Sequence, residues 1–277
     1  MIGDLAAVPI SELLKRRDSC KGAEVKRQLR RLGTSVYVYM GNKKELEHVL
    51  KTLSHPNSLK LRAVKNRDKH HQVLRDVVRR LHNVVAAAKT LVDHSRRIVR
   101  NLSVSDTFIE LYSSKVTESF GTPEHTFVQK LRNYALHYSL PPIVDTVHWE
   151  TGNTPGQSTI EMGITLDAAR LLEWDGWNQR ERALIASWED GKAPLIDIVE
   201  SYSQTIESFY RWLFGALAEM HKQDLQEYMA VKREIARRLS NIRSHFKSFL
   251  RQIMIQAIVK NPSYTTSDLS YRTNNLR

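Results

Sequence analysis

Lys69 to Asn101 reads KHHQVLRDVVRRLHNVVAAAKTLVDHSRRIVRN, and this stretch decides the fold class. Leu74, Val78, Leu81, Val85, Ala88, Val92 and Val99 follow alternating steps of four and three, with the step at Ser95 skipped. Val77, Val84, Leu91 and Ile98 recur every seven residues beside them. Such steps keep side chains on one side of an α-helix, and two adjoining rows make a face wider than a coiled-coil seam. The spacing predicts a helix over 69–101 packed inside a bundle, with Ala86-Ala87-Ala88 letting a neighbour approach closely.

Upstream, residues 3–17 and 21–32 read as short helices. Ser35-Val36-Tyr37-Val38-Tyr39 is β-branched and aromatic between Gly33 and Gly41, so a short strand or extended link is expected there. Asn42 and Glu45 are spaced as a capping box for a helix to Leu53, broken at His55-Pro56-Asn57. Downstream, Ser103 or Ser105 caps a helix to Phe120. Thr122 as N-cap and Pro123 at the first position open another, carrying Phe127, Val128, Leu131, Ala135 and Tyr138 and stopping before Pro141-Pro142.

The period then changes. Ile143, Val147 and Trp149 share one strand face with Asp145 as its polar exception, and Ile160, Met162, Ile164 and Leu166 alternate likewise. Thr151-Gly152-Asn153-Thr154-Pro155-Gly156 between them is rich in turn residues, so a β-hairpin is expected at about 143–166. Two strands alone are marginal, and the hairpin must lie on helices or pair with a further strand. Helices follow over 167–174, 178–189 and 195–220. The last, over 235–253, carries Ile235, Leu239, Ile242, Phe246, Phe249 and Ile253. These last two helices are expected to form a long antiparallel pair, and the polar tail 261–277 is expected to be disordered.

The expected architecture is mainly α. A basic helical segment, 1–64, packs on a helical domain, 65–260, that holds the hairpin. Length and composition agree: 277 residues with 41% hydrophobic content are ample for a core. No run of apolar residues is long enough for a membrane span, and Met1-Ile2-Gly3-Asp4 lacks the layout of a signal peptide. One cysteine, Cys20, excludes an internal disulfide and any multi-cysteine metal site. A cytoplasmic protein without membrane partners is expected.

Charge is the first functional sign. The chain has 42 Lys and Arg against 30 Asp and Glu, a net +12. The excess is concentrated between Lys15 and Arg31 and between Lys60 and Arg100. Such a surface attracts polyanions, and RNA or DNA is the first candidate. His70-His71 sits beside Lys69 and reads as a solvated basic turn. No phosphate-binding glycine loop, HExxH, EF-hand loop, GxSxG or Cys/His zinc spacing occurs. No metal or cofactor is expected.

One cluster stands apart, Leu131-Arg132-Asn133-Tyr134-Ala135-Leu136-His137-Tyr138. Asn133 and His137 are one turn apart, and Arg132 flanks them. Metal-free cleavage of an RNA backbone needs a base, an acid and positive charge at the phosphorane. Histidine titrates near neutrality, and a guanidinium matches phosphate oxygens in pairs.

Arg132-Asn133-Tyr134-Ala135-Leu136-His137 resembles the R-φ-x-x-x-H signature of the HEPN superfamily, the higher eukaryotes and prokaryotes nucleotide-binding domains. The preceding Asn83–His94 stretch resembles the partner helix of such domains, so the likeness covers roughly 65–140. It implies a compact helical bundle and a metal-independent endoribonuclease of toxin–antitoxin or antiviral-defence type. In such proteins the Arg and His usually come from two protomers, so a homodimer is implied, with an antitoxin or defence-complex partner as a further possibility. Arg132 and His137 would be catalytic and Asn133 supporting, leaving 2′,3′-cyclic phosphate and 5′-hydroxyl ends. His94, Arg96 and Arg97 form a second group: His94 is either a core-edge residue or a phosphate contact facing His137 across the bundle. Tyr134 and Tyr138 are candidates for base stacking or for core packing. The alternative is a non-catalytic RNA- or nucleotide-binding helical subunit of a defence complex.

Overall fold

The computed structural model describes residues 8–102, 104–151 and 158–260. Ser103, the hairpin turn Gly152–Gly156 and the tail 261–277 lie outside the described residues. The protein is mainly helical with one small antiparallel sheet. It divides into two compact units, Met1–Lys26 with His221–Arg277, and Arg27–Met220, rather than at position 64.

The first unit is built on α1 (Ile10–Ser19) and α9 (Lys222–Lys260). Leu13, Val231 and Ile235 form its buried centre, with Val8 and Leu14 against it. The two helices run antiparallel. The Arg16 guanidinium meets Glu227 at 2.7 Å, and Arg238, farther along α9, donates to the Val8 carbonyl that precedes α1. Helix α2 (Lys21–Ser54) starts here. Gly22 lies so close to α9 that a Cβ would fall on the Asp224 carbonyl. The expected pairing of 195–220 with 235–253 is made in neither unit, because those stretches belong to different ones and α9 packs on α1.

In the second unit, 35–39 is neither strand nor link but the middle of α2. Its β-branched composition yields to burial at helical steps: Gln28, Leu32, Ser35 and Tyr39 face inward. Gly33 and Gly41 sit inside the helix with room around them, and Asn42 donates to the Val38 carbonyl instead of capping. Helix α3 (Arg67–Asn101) runs where the periodicity placed it. The skipped step, Ser95, is a buried polar peg: Tyr210 donates to its hydroxyl, and the Tyr112 hydroxyl lies at 3.3 Å. Helix α4 (Asp106–Phe120) is capped by Ser105, and α5 (Pro123–His137) by Thr122.

Helix α8 (Leu195–Met220) supplies the centre. Leu195, Val199, Tyr202, Ile206, Phe209, Leu213 and Leu217 are buried along one face. Phe120 and Tyr112 stack edge-on against Phe209, and the Tyr39 hydroxyl meets Ser203 at 2.8 Å. Burial pushes the Tyr39, Tyr202 and Tyr210 phenols far up, so they stay neutral pegs.

The hairpin forms from β1 (Ile143–Thr151) and β2 (Ser158–Asp167), in register from Ile143↔Leu166 to Thr151↔Ser158. A third strand, β3 (Lys192–Pro194), joins β2 at Thr165, Leu166 and Asp167. Two short helices, α6 (Ala168–Leu172) and α7 (Gln179–Ala186), lie between β2 and β3. Asp145 explains its place on an otherwise apolar strand face. Its carboxylate takes two hydrogen bonds from Arg62 and lies 2.6 Å from His70 Nε2. The Arg62 and Asp145 side chains are 9% and 8% exposed. Arg62 also reaches Ser58 and the Leu53 carbonyl. His70 is thus not the solvated turn residue its basic setting suggested; it helps fasten β1 to the start of α3.

Breaking a buried ion pair strands the remaining charge, so Asp145→Ala should cost about 3–5 kcal/mol in denaturant unfolding. Asp76→Ala, which breaks the more exposed Arg79 and Arg80 contacts, should cost about 1 kcal/mol or less. Gly22→Ala should destabilise the α1–α9 unit, read as a lowered melting midpoint, because the clash is with backbone.

Candidate functional site on α5

Helix α5 buries Phe127, Val128, Leu131 and Tyr134. That stripe differs from the expected one at its end, where Tyr134 replaces Tyr138. Trp177 stacks on both Phe127 and Tyr134, at centroid distances of 5.2 and 5.9 Å, and Trp174 meets Tyr134 edge-on. Offset and edge-on aromatic pairs favour this ring over a smaller residue on the core face. Tyr134 is 2% exposed, so it is core and not a base-stacking residue.

One polar tie holds α5 to α7. Lys130 reaches the buried Glu181 carboxylate at 3.3 Å, and the Asn178 backbone N–H donates to the same oxygen at 2.9 Å. Burial pushes the Glu181 carboxyl up, but the hydrogen bonds from Thr126 and Lys130 outweigh it and hold the group below the usual glutamate range. The tie anchors the helix immediately before the motif.

Arg132 is half-buried, and Asn133 and His137 are exposed, on the last turn and a half of α5. Arg132 Nη1 donates to Asn133 Oδ1 at 3.2 Å, so the guanidinium is turned toward the side that bears His137. Five residues at 3.6 per turn put His137 about 140° round the helix from Arg132. Asn133 and His137 share a side, and Arg132 joins them only by bending across. Around them Leu136, Tyr138 and Leu140 are 45%, 47% and 62% exposed. At the Tyr138 end of α5 a shallow cleft is lined by Val78, Tyr134, Tyr138, Pro141, Arg170 and Glu173. Arg170 was not singled out in the sequence, where it reads as an ordinary surface cation; the fold sets it beside Tyr138.

The second group does not join this site within one chain. Val78 of α3 lies at the His137 end of α5, whereas His94 is sixteen residues farther along α3, about 24 Å at 1.5 Å per residue. His94 Nδ1 lies 2.6 Å from the Ser35 hydroxyl on α2. Of its two readings, the one that faces His137 across the bundle fails. Arg96 and Arg97 are exposed on the same distant stretch of α3.

No family model, curated protein or solved structure matches this chain.

A carboxyl held low stabilises the fold above its unfolded-state pKa, and that contribution is lost as pH falls through the lower folded value. In urea titrations from neutral to acid, Glu181→Gln should be less stable at pH 7. It should also lose part of the wild-type drop in stability below the usual glutamate range.

Proposed function

We propose that the protein is a metal-independent endoribonuclease of HEPN type, a toxin or antiviral-defence effector working as a homodimer. The observation that carries this reading is the Arg132–Asn133–His137 group, open to solvent at the end of α5 and ringed by exposed Leu136, Tyr138 and Leu140. Leu136, Tyr138 and Leu140 give a second protomer apolar surface to cover beside the basic group. With Arg132 and His137 about 140° apart on one helix, a single copy converges on a phosphate less readily than two copies each lending one group.

The chemistry divides as follows. One His137 takes the proton of the ribose 2′-hydroxyl, and the second His137 returns a proton to the departing 5′-oxygen. The 2′-oxygen attacks phosphorus, the P–O5′ bond breaks, and the products are a 2′,3′-cyclic phosphate and a 5′-hydroxyl. Arg132 neutralises the charge that builds on the phosphorane oxygens, and Asn133 orients the guanidinium. Tyr138 offers a face to a base, and Arg170 a cation to a neighbouring phosphate.

Arg132→Ala and His137→Ala should each lower cleavage of labelled RNA by about 10²–10⁴-fold, with melting midpoints unchanged because neither side chain is in the core. Cleavage should persist in EDTA. A purified His137→Ala protein that still cuts overturns the assignment, and RNA binding by the wild-type protein without new ends supports a non-catalytic subunit instead.

A further inference from the structure

Helix α9 continues well beyond its contact with α1. Val231 and Ile235 are buried against α1, but the next apolar residues on α9 are not. Leu239, Ile242, Phe246, Phe249 and Ile253 are 52%, 55%, 59%, 57% and 46% exposed. Their steps of three and four keep them on one side of the helix, a stripe about 21 Å long at 1.5 Å per residue. The sequence expectation made this stripe part of a buried helix pair; in its own unit it stays half-exposed, with Ile10 of α1 beside Ile242, Phe246 and Phe249.

The charge on the rest of α9 says what kind of surface fits. From Ile235 to Ile253 the chain has Arg237, Arg238, Arg243, Lys247 and Arg251 and no Asp or Glu. Arg237 and Arg238 are engaged by Glu234, but Arg243, Lys247 and Arg251 are exposed. At 3.6 residues per turn Arg243 lies about 80° from the centre of the stripe, a flank from which its head reaches the plane bounding the stripe. Lys247 lies higher on the same flank, about 120° round, and Arg251 falls among Ser240, Ser244 and Ser248 on the far side.

We propose that this part of α9 lies on an anionic lipid surface. Leu239, Ile242, Phe246, Phe249 and Ile253 would enter the acyl boundary, and Arg243, with Lys247 reaching down from higher on the same flank, would meet phosphate headgroups. Three other occupants fit less well. A second copy of α9 would leave Arg243 at the edge of the seam with no acidic residue between Ile235 and Ile253 to pair with it. Single-stranded RNA stacks on aromatic faces, and three of the five stripe residues are aliphatic. A membrane-spanning role is excluded by length and polarity, since no described helix is long and apolar enough to cross a bilayer.

The test is co-sedimentation of the full chain with vesicles of phosphatidylcholine and phosphatidylglycerol, and with phosphatidylcholine alone. Binding should require the anionic lipid. It should fall at least about tenfold in a Phe246→Ser/Phe249→Ser double variant, and by a similar factor in Arg243→Gln/Lys247→Gln. All four positions are exposed, so circular dichroism should show unaltered folding. Four outcomes overturn the proposal: no binding to anionic vesicles; equal binding to neutral ones; vesicle binding that survives the Phe double variant; or loss, in that variant, of dimers or RNA binding in place of vesicle binding. The Arg132 and His137 variants should bind vesicles like the wild type, which separates this inference from the nuclease reading.

Discussion

The apolar face of α8 is the constraint on which the larger unit depends. A helix that buries Val199, Tyr202, Ile206, Phe209 and Leu213 in one row must be met by other rows of the same pitch. Helices α2, α3, α4 and α5 supply them, and three polar contacts fix how α2, α3 and α8 meet. Tyr39 with Ser203, Tyr210 with Ser95, and Ser35 with His94 each join two helices at a single pair of atoms. Apolar packing tolerates sliding; a buried hydroxyl that loses its partner costs about 1–3 kcal/mol, so these pegs set the register.

Helical arithmetic made much of this readable in advance. Repeats on 69–101 and 195–220, the Thr122-Pro123 start of α5 and the alternation of β1 and β2 all act locally, and the chain obeys them. What stayed hidden depends on distant partners. Nothing near Ser35–Tyr39 announces that Tyr39 will be buried against Ser203, and without that knowledge its β-branched neighbours point to a strand. His70 looks solvated until β1 brings Asp145 to it. A three-residue strand such as β3 carries no periodicity at all.

The candidate site divides in the same way. That Asn133 and His137 share a side of α5 follows from a four-residue spacing, whereas the identity of the buried tyrosine does not. Tyr134 is drawn inward by Trp174 and Trp177, forty residues away, so a ring that local reasoning leaves at the border belongs to the core. Arg170 enters the picture only because α6 follows β2 directly. His94 shows the opposite error, since a helix of 35 residues is long enough for two groups on packed neighbours to be remote.

The short reach of β3 has a consequence for the sheet. It braces β2 only at Thr165, Leu166 and Asp167, so from Ile164 toward Ser158 the hairpin is a two-stranded ribbon. Ribbons of two strands are marginal in water, and here the braced end also carries the Arg62–Asp145 clamp. Amide protons in the sheet therefore exchange with deuterium on a gradient: slowest around Leu166, and progressively faster toward Trp149 and Ile160.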